Sequence, residues 1–399
     1  MSIRIKVATT AKELSDIYRL RYQVYVVEEG LYDSVSGDII VDQFDALPNT
    51  ANIIAYEGTT PVGTMRTNFD SEVLLPADES YDFSEYRERA NEQAQAQGLE
   101  RALLGCSGML AIAKKWRNRR DLFRALFKLS CDVGHSWGVS HIIVTARSEA
   151  QSMYRRMGFE ALEDELWYEP AGAHIVPMVS ELERIYQWAF GGMVGKSDLL
   201  ERFSGCFQYL LFSAGDSIFC EGDPGDEAYI VSAGAVDISR KEGDDQLNLA
   251  TLSTGSLFGE LSLIDEQSRS ADATAAKNTE LVVLNRKTFW DKAHDDPEYL
   301  RSLLSILSKR LRDVDDRAFA YAHGSTDYRL NFFLNKVKAH ALPLNKSPQD
   351  SKAKISATAF AYMASTRLEE ALAFLDQLQL EGKLKYTATS ITFYGEQTQ

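Results

Sequence analysis

The sequence predicts a multidomain α+β protein: an α/β sheet, then a β-roll (jelly roll) with a long helix, then a small helical unit ending in a hairpin. A chain of 399 residues with 45% hydrophobic side chains is long and apolar enough to form two or three hydrophobic cores. Strand-like runs alternate with helical periodicity as far as about residue 190. After about residue 198, short strands recur between glycine turns, which is typical of a small roll.

Charge and cysteine usage narrow the function classes. The formal net charge is −15, so contact with nucleic acid or an anionic membrane would need a local basic patch. No run of about 18 apolar residues is present, and the N-terminus does not resemble a signal peptide. The four cysteines have no CxxC spacing, which predicts free thiols, a cytoplasmic location and no metal site.

The first third alternates helices and strands. Apolar residues recur at helical spacing from residue 14 to 29, and an acidic segment follows at residues 38–45. A long helix over residues 116–136 and a shorter one ending at Gly158 complete the pattern, with glycine as the expected C-cap. Strands are predicted over residues 51–56, 62–67, 103–113 and 141–146.

The end of this segment, Tyr154-Arg155-Arg156-Met157-Gly158-Phe159, resembles the Gcn5-related N-acetyltransferase family. The front end resembles the acyl-homoserine-lactone synthase and N-acyl amino acid synthase branch of that family. The resemblance implies an acetyltransferase-like (acyltransferase-like) domain over residues 1–190. Such a domain would use acyl-CoA or acyl carrier protein as donor and an amine as acceptor. The front-end residues that carry the resemblance are Arg21, Tyr25, Asp42, Asp45 and Arg66.

The same resemblance implies roles for individual residues. Tyr154 would be the general acid that protonates the leaving thiolate. The base for the amine would come from Glu28, Glu29, Asp42 or Asp45, with Asp45 and Glu28 preferred, whereas Arg21, Asp42 and Arg66 would form the acceptor site. The alternative for Tyr154 is a core tyrosine on an amphipathic helix.

A basic stretch precedes and enters the long helix. Arg117, Arg119 and Arg120 reverse the local sign of charge in an acidic chain, and we expect them to bind the acyl donor. They could contact pantetheine or nucleotide phosphates, or the acidic surface of an acyl carrier protein. The alternative is a solvated basic face. Arg120 and Leu122 occupy positions where the family has small residues, so homoserine-lactone synthesis is not expected, and a catalytically silent sensor remains open.

A second motif lies at residues 255–274, where a turn glycine precedes Phe258-Gly259-Glu260 and a polar loop leads to Arg269. Arginine can grip a phosphate with two parallel N–H groups, and a glutamate can accept from a ribose hydroxyl. The stretch resembles the phosphate-binding cassette of cyclic nucleotide-binding domains, the family of the cAMP receptor protein. The alternative is a turn with a surface ion pair between Glu260 and Arg269. The resemblance implies a cAMP- or cGMP-binding domain over residues 198–322 with the site residues Gly259, Glu260, Leu261, Ser262, Arg269, Ser270 and Ala271.

The helix after the roll carries a heptad seam. Asp296-Pro297 is a strong helix start, and apolar residues then alternate four and three apart. This pattern predicts a homodimer through the 297–322 helix. The alternative is a helix packed on its own roll. The seam residues are Leu300, Leu304, Leu307, Leu311, Val314, Ala318 and Tyr321.

The tail, residues 325–399, resembles the winged helix of the cAMP receptor family. Its would-be recognition helix sets Arg367 beside Glu369 and Glu370, a poor footprint for DNA. DNA binding is therefore not expected, and a degenerate winged helix would serve dimer or domain contacts.

These observations together predict a cyclic-nucleotide-responsive N-acyltransferase. The ligand would change how the dimer helix packs and thereby gate the N-terminal domain. One alternative is a transcription regulator of the cAMP receptor type with an extra sensor domain. Another is a catalytically silent adaptor.

Overall fold

The computed structural model describes residues 2–31, 37–71, 73–190, 208–242, 245–339, 341–344 and 347–395. The chain divides into two compact units, Met1–Tyr299 and Leu300–Gln399. The first unit contains both the predicted acyltransferase-like segment and the predicted roll. The glycine-rich residues 191–195, whose composition predicts a flexible junction between these two parts, lie outside the described residues.

The first unit has a mixed α+β composition. Its helices are α1 (Ala11–Tyr22), α2 (Ser84–Ala96), α3 (Arg120–Ser136), α4 (Gln151–Arg156), α5 (Leu182–Phe190), α6 (Leu261–Asp265) and α7 (Arg286–Asp295). Its strands up to residue 190 are β1 (Ile3–Val7), β2 (Thr50–Glu57), β3 (Thr60–Phe69), β4 (Leu104–Ile112), β5 (His141–Arg147), β6 (Glu160–Ala161), β7 (Leu166–Tyr168) and β8 (Ala173–Glu181). Its remaining strands are β9 (Gln208–Phe212), β10 (Ser217–Phe219), β11 (Glu227–Ala233), β12 (Ala235–Glu242), β13 (Asp245–Ser253), β14 (Leu257–Phe258), β15 (Asp272–Ala275) and β16 (Thr279–Asn285).

One sheet runs through both parts of this unit. Among the described residues it has twelve strands in the order β14-β11-β16-β9-β1-β2-β3-β4-β5-β8-β6, with β7 paired to β8. The join is an antiparallel pairing of β1 with β9, in which Ile3 lies opposite Leu211 and Ile5 opposite Tyr209. Strand β1 thus covers what would otherwise be an open edge of the roll. We use "N-terminal half" for residues 2–190 and "roll" for residues 208–285.

Strand β1 forms because its residues alternate. Ile3 and Ile5 are fully buried, whereas Arg4 and Lys6 point to the opposite face. Helix α3 packs against β1, β2, β3 and β9 and so supports the join between the two parts. Helix α3 begins at Arg120 instead of residue 116, because residues 114–116 form a separate short turn.

The strands β4 and β5 separate along their length. They pair in parallel only where Leu104–Cys106 meets His141–Ile143. Beyond that point Met109 has a left-handed φ of 49°, and the pairing of β3 with β4 shifts register. A bulge of this kind bends β4, and among the described residues its pairing with β5 ends at Cys106 and Ile143.

The roll is closed by a second sheet in the order β10-β15-β12-β13. Its core is apolar and includes Leu210, Phe212, Tyr229, Phe258 and Leu281. No helix of the described residues has the length and apolar character that crossing a membrane requires.

The second unit contains most of α8 (Pro297–His323), followed by α9 (Thr326–Ala339), β17 (Leu342–Leu344), β18 (Ser347–Ala353), α10 (Ala357–Met363), α11 (Leu368–Leu380), β19 (Leu384–Thr387) and β20 (Ser390–Phe393). The helices and the final hairpin follow the predicted order, whereas β17 and β18 were not predicted and join the hairpin in a sheet of the order β17-β18-β20-β19. Asp296 caps α8, since its carboxylate accepts from the backbone N–H of Glu298 and Tyr299 at 3.1 Å each.

Candidate functional site

The cassette of the roll holds two buried charged residues. Arg269 is 5% exposed and Glu260 is 1% exposed, so the alternative of a surface ion pair is wrong. Gly259 has a φ of +72°, and a side chain there would approach the Arg269 guanidinium to 2.8 Å. Glycine is therefore required at this position, because the backbone conformation and the close approach both exclude a Cβ atom.

Arg269 is held by backbone carbonyls and aromatic rings. Its Nη1 donates to the Gly259 carbonyl and its Nη2 to the Glu227 carbonyl, both at 2.7 Å. The guanidinium carbon lies 4.4 Å from the ring centre of Phe219 and 5.6 Å from that of Tyr229. The buried Nε has no hydrogen-bond partner among the described residues. A phosphate oxygen would satisfy this N–H together with a second guanidinium N–H.

The remaining predicted cassette residues differ in exposure. Ser262 and Ala271 are buried, whereas Leu261 and Ser270 are exposed. The carboxylate of Asp272 accepts from the backbone N–H of Glu221 at 2.8 Å. Asp272 is therefore turned toward a neighbouring loop, and its charge does not argue against a phosphate at Arg269.

The predicted acceptor residues form one buried ion cluster in the N-terminal half. Arg21 Nη1 contacts both carboxylate oxygens of Asp45, at 2.9 and 2.8 Å, and its Nη2 donates to Asn52 at 2.8 Å. Arg66 Nη1 lies 2.5 Å from Asp42 and 3.0 Å from Asp45. Burial opposes the charge of Arg66, but the two carboxylates more than offset it and raise the pKa of Arg66.

Only one member of this ion cluster reaches the surface. The side chain of Asp42 is 33% exposed, whereas those of Arg21 and Asp45 are fully buried. The structure therefore does not favour Asp45 as a base, because two arginines hold its charge away from any substrate. Asp42 is the carboxylate in a position to meet a ligand.

Tyr154 lies on α4, the helix that follows β5. Its ring makes edge contacts with Phe127 and Phe159, at centroid distances of 6.5 and 5.2 Å. Burial, with a smaller contribution from Cys106, raises the pKa of Tyr154 to about 12. The Cys106 thiol also interacts with the charge of Arg66. The Tyr154 phenol and the Arg66 guanidinium of the ion cluster thus both interact with Cys106 of β4.

The predicted donor-binding arginines are partly engaged by acids. Arg117 Nη2 lies 2.5 Å from Glu28 and 3.2 Å from Glu29, so the predicted base Glu28 pairs with a predicted donor residue. Arg119 forms a fork with Asp121, and Arg120 is exposed. An incoming phosphate would have to compete with these carboxylates.

Three groups near these sites were not predicted from the sequence: Asn52 beside Arg21, the rings of Phe219 and Tyr229 beside Arg269, and Arg4 in β1. Arg4 Nη1 and Nη2 donate to the two carboxylate oxygens of Glu227 at 2.7 and 3.0 Å. The alternation Ile3-Arg4-Ile5-Lys6-Val7 is the sequence signal that could have predicted the strand. Within the described ranges, no cluster of three His, Cys, Asp or Glu side chains could hold a metal ion.

Comparison with known proteins assigns both parts. Residues 16–181 match the family "N-acyl amino acid synthase FeeM", and residues 210–296 match the cyclic nucleotide-binding domain. The chain is 40% identical over 110 residues to the Cyclic AMP receptor protein of Thermus thermophilus, covering 27% of this chain and 51% of that protein. It is 38% identical over 106 residues to a CRP-like cAMP-activated global transcriptional regulator of Mycobacterium tuberculosis, covering 26% and 47%. The chain thus spans about half the length of these curated relatives.

A solved structure is also similar. It is the c-di-GMP responsive global regulator CLP of Xanthomonas campestris, with 25% identity, coverage of 49% of this chain and 98% of that one, and a TM-score of 0.41. The family matches confirm two of the predicted resemblances: the chain carries an N-terminal domain of the FeeM N-acyl amino acid synthase type and, after it, a cyclic nucleotide-binding domain.

Proposed function

We propose that the protein is an N-acyltransferase whose activity is gated by cAMP or cGMP. The observation that carries the proposal is the continuous sheet, in which the strand β1 of the synthase-type half pairs with β9 of the nucleotide-binding roll. The shared sheet gives a ligand of the roll a physical route to the N-terminal half, because a shift of β9 acts on β1 through their pairing.

The proposed reaction joins an amine to an acyl thioester. The amine nitrogen forms an amide bond to the thioester carbonyl carbon, the carbon–sulfur bond breaks, and the thiol leaves. The amine loses a proton to a base and the thiolate gains one from an acid. Acyl-CoA or acyl carrier protein is the proposed donor, and an amino acid is the proposed acceptor, in keeping with the name of the matching family.

The ion cluster would divide these roles. Asp42, the exposed carboxylate, takes the amine proton, while Asp45 and Arg21 fix the position of Arg66. Tyr154 supplies the proton for the thiolate, because its high pKa keeps the phenol protonated at neutral pH. Arg120 and the basic residues before α3 hold the donor phosphates.

The cassette would bind the cyclic nucleotide. Arg269 offers Nε and a second N–H to the phosphate, and buried Glu260 accepts from the ribose hydroxyl. We propose that the protein is cytoplasmic. We also propose that it forms a homodimer through α8, since Leu300, Leu304 and Leu311 are exposed on that helix. DNA is not the proposed partner, because α11 begins with Glu369 and Glu370.

Thiol release tests the proposal. The full chain is incubated with acyl-CoA donors and a panel of amino acids, with and without cAMP or cGMP, and free thiol is measured. The expected result is thiol release that changes with one of the two nucleotides and loses this response in Arg269→Ala. Thiol release at the same rate with and without either nucleotide would indicate an enzyme that the nucleotides do not gate. No release with acyl-CoA or with acylated carrier protein would leave the silent adaptor as the better account.

A further inference from the structure

We propose that Arg4, in the first strand of the N-terminal half, is a positioning residue of the nucleotide site and that it senses nucleotide occupancy through Glu227. The inference rests on the proposed function, because it takes the roll to bind a cyclic nucleotide. It goes further by naming the residues through which the site and the synthase-type half affect each other.

Arg4 makes its main contact across the join. Its guanidinium forms a fork with Glu227, at 2.7 and 3.0 Å, and its Nη1 also donates to Gln208 at 3.0 Å. The Tyr229 hydroxyl donates to the same carboxylate at 3.1 Å. Burial alone would raise the pKa of Glu227, but the hydrogen bond and charge of Arg4 lower it. A two-pronged charged contact of this kind fixes orientation as well as distance.

Glu227 also anchors the phosphate-binding arginine. Its backbone carbonyl accepts from Arg269 Nη2 at 2.7 Å, while its side chain holds Arg4. One residue therefore contacts the nucleotide site with its backbone and the N-terminal half with its side chain. A phosphate bound at Nε would pull the guanidinium of Arg269 relative to this carbonyl, and we expect the resulting shift to reach Arg4 through Glu227.

Strand β11, which begins at Glu227, also contacts the N-terminal half near its C-terminal end. Ser232 donates to the carboxylate of Glu280, which is paired with Lys128 of α3 at 2.6 Å. Because α3 begins at Arg120, in the proposed donor site, movement of β11 has a second rigid connection to that site.

The structure has room for the Arg4 side chain to move at its contact with Glu227. A cavity of about 440 Å³ lies beside it, between the two parts of the unit. Arg4, Lys6 and Tyr56 line it from the N-terminal half, and Leu210, Phe212 and Tyr229 from the roll. Arg4 can therefore adopt another rotamer without displacing the core.

The neighbouring residue Lys6 provides a matched control. It lies two positions along the same strand, lines the same cavity and pairs at 2.5 Å with Glu13, which belongs to its own half. Removing Lys6 costs an ion pair between β1 and α1 and leaves the Arg4–Glu227 contact in place.

The test measures the dissociation constant of a fluorescent cAMP or cGMP analogue, whichever the wild-type full chain binds, for Arg4→Met, Arg4→Lys, Glu227→Gln and Lys6→Met. Hydrogen exchange of residues 3–7 is followed with and without the nucleotide. We expect Arg4→Met to weaken binding about tenfold, as for loss of a charge-assisted pair. Arg4→Lys should lose less affinity, because a lysine ammonium still attracts the Glu227 carboxylate although it cannot form the two-pronged contact. Lys6→Met should bind within twofold of wild type.

The double variant Arg4→Met/Glu227→Gln should lose no more affinity than the worse single variant, since both remove one interaction. Nucleotide should change exchange of residues 3–7 in wild type and not in Arg4→Met. If Arg4→Met and Glu227→Gln both bind as wild type does, Arg4 is structural only and the inference is overturned, although gating can stand. If the wild-type chain binds neither cAMP nor cGMP, the proposed function is overturned and this inference with it.

Discussion

The ammonium group of Lys128 on α3 donates a hydrogen bond of 2.6 Å to the carboxylate of Glu280 on β16, where both side chains are less than 10% exposed. Burial lowers the pKa of Lys128, and the charge of Glu280 opposes this effect. The pair joins a helix of the N-terminal half to a strand of the roll. Its energetic value depends on both charges being present, since each one alone is expensive to bury.

Lys128→Met should therefore destabilise the chain by about 3–5 kcal/mol, because it strands the Glu280 carboxylate in the interior. The double variant Lys128→Met/Glu280→Leu should recover most of that loss, since apolar side chains of similar volume often replace a buried pair without cost. Urea unfolding of the wild type, both single variants and the double variant measures the difference. A loss below about 1 kcal/mol for Lys128→Met would show that water reaches the site.

The two aspartates of the ion cluster should respond differently. Asp45→Asn leaves the buried guanidinium of Arg21 without a counter-charge and should cost about 3–5 kcal/mol of stability. Asp42→Asn touches a side chain that is 33% exposed and should cost about 1 kcal/mol or less. Its effect should fall on catalysis instead, with a loss of about 10²-fold or more in kcat if it is the base. Similar stability losses for both variants would contradict this division.

Tyr154→Phe should lower kcat for thiol release by about 10²-fold, because it removes the proton donor and keeps the ring packing. Its pKa of about 12 means that the phenol stays protonated through neutral pH, so ionisation of Tyr154 should not reduce the wild-type rate below about pH 10. Tyr86→Phe is the matched control, since burial also raises the pKa of Tyr86 to about 12. Equal rates for wild type and Tyr154→Phe would assign Tyr154 to the core.

Acidification should weaken the join between β1 and the roll. The folded-state pKa of Glu227 lies below its ordinary value of 4.5, so its contribution to stability is fully present above about pH 4.5 and is lost as the pH falls through the folded-state pKa. Arg4, Tyr229 and Arg269 are the groups that interact with this carboxylate. Thermal midpoints between pH 7 and pH 3 should fall more steeply for wild type than for Glu227→Gln. Parallel curves would mean that Glu227 does not titrate with folding.

The sequence predicted the local structure well where periodicity was strong. The strand at residues 141–147 and the left-handed Gly158 after the Met157 C-cap of α4, with a φ of +100°, follow from hydrophobic runs and glycine chemistry. The phosphate-binding cassette was equally predictable from the sequence, because Gly259, Glu260 and Arg269 lie within one short stretch. Arg21, Asp42 and Arg66 were placed in one site by resemblance, and the structure joins them in one cluster through Asp45, which contacts both arginines.

The long-range features were not predictable in the same way. Strand β1 is only five residues long, and its pairing with β9 joins positions more than 200 residues apart. No local pattern specifies that Arg4 meets Glu227 or that Lys128 meets Glu280. The role of Asp45 likewise depended on burial, because a carboxylate held by two arginines and an exposed carboxylate are identical in the sequence.

The seam of α8 should hold a homodimer. Leu304, Leu311 and Val314 are 55%, 63% and 60% exposed, at the heptad spacing predicted from the sequence. Burying a leucine of this kind contributes about 1.5–3 kcal/mol, so several together favour pairing with a second copy of the helix. Leu304→Glu/Leu311→Glu should therefore give a monomer by sedimentation velocity, because glutamates would face each other across the seam. Ser305→Glu, an added acid at an exposed position off the seam, should leave a dimer. A wild-type chain that is monomeric at micromolar concentration with cAMP bound, or a double-glutamate variant that stays dimeric, would show that this face has another role.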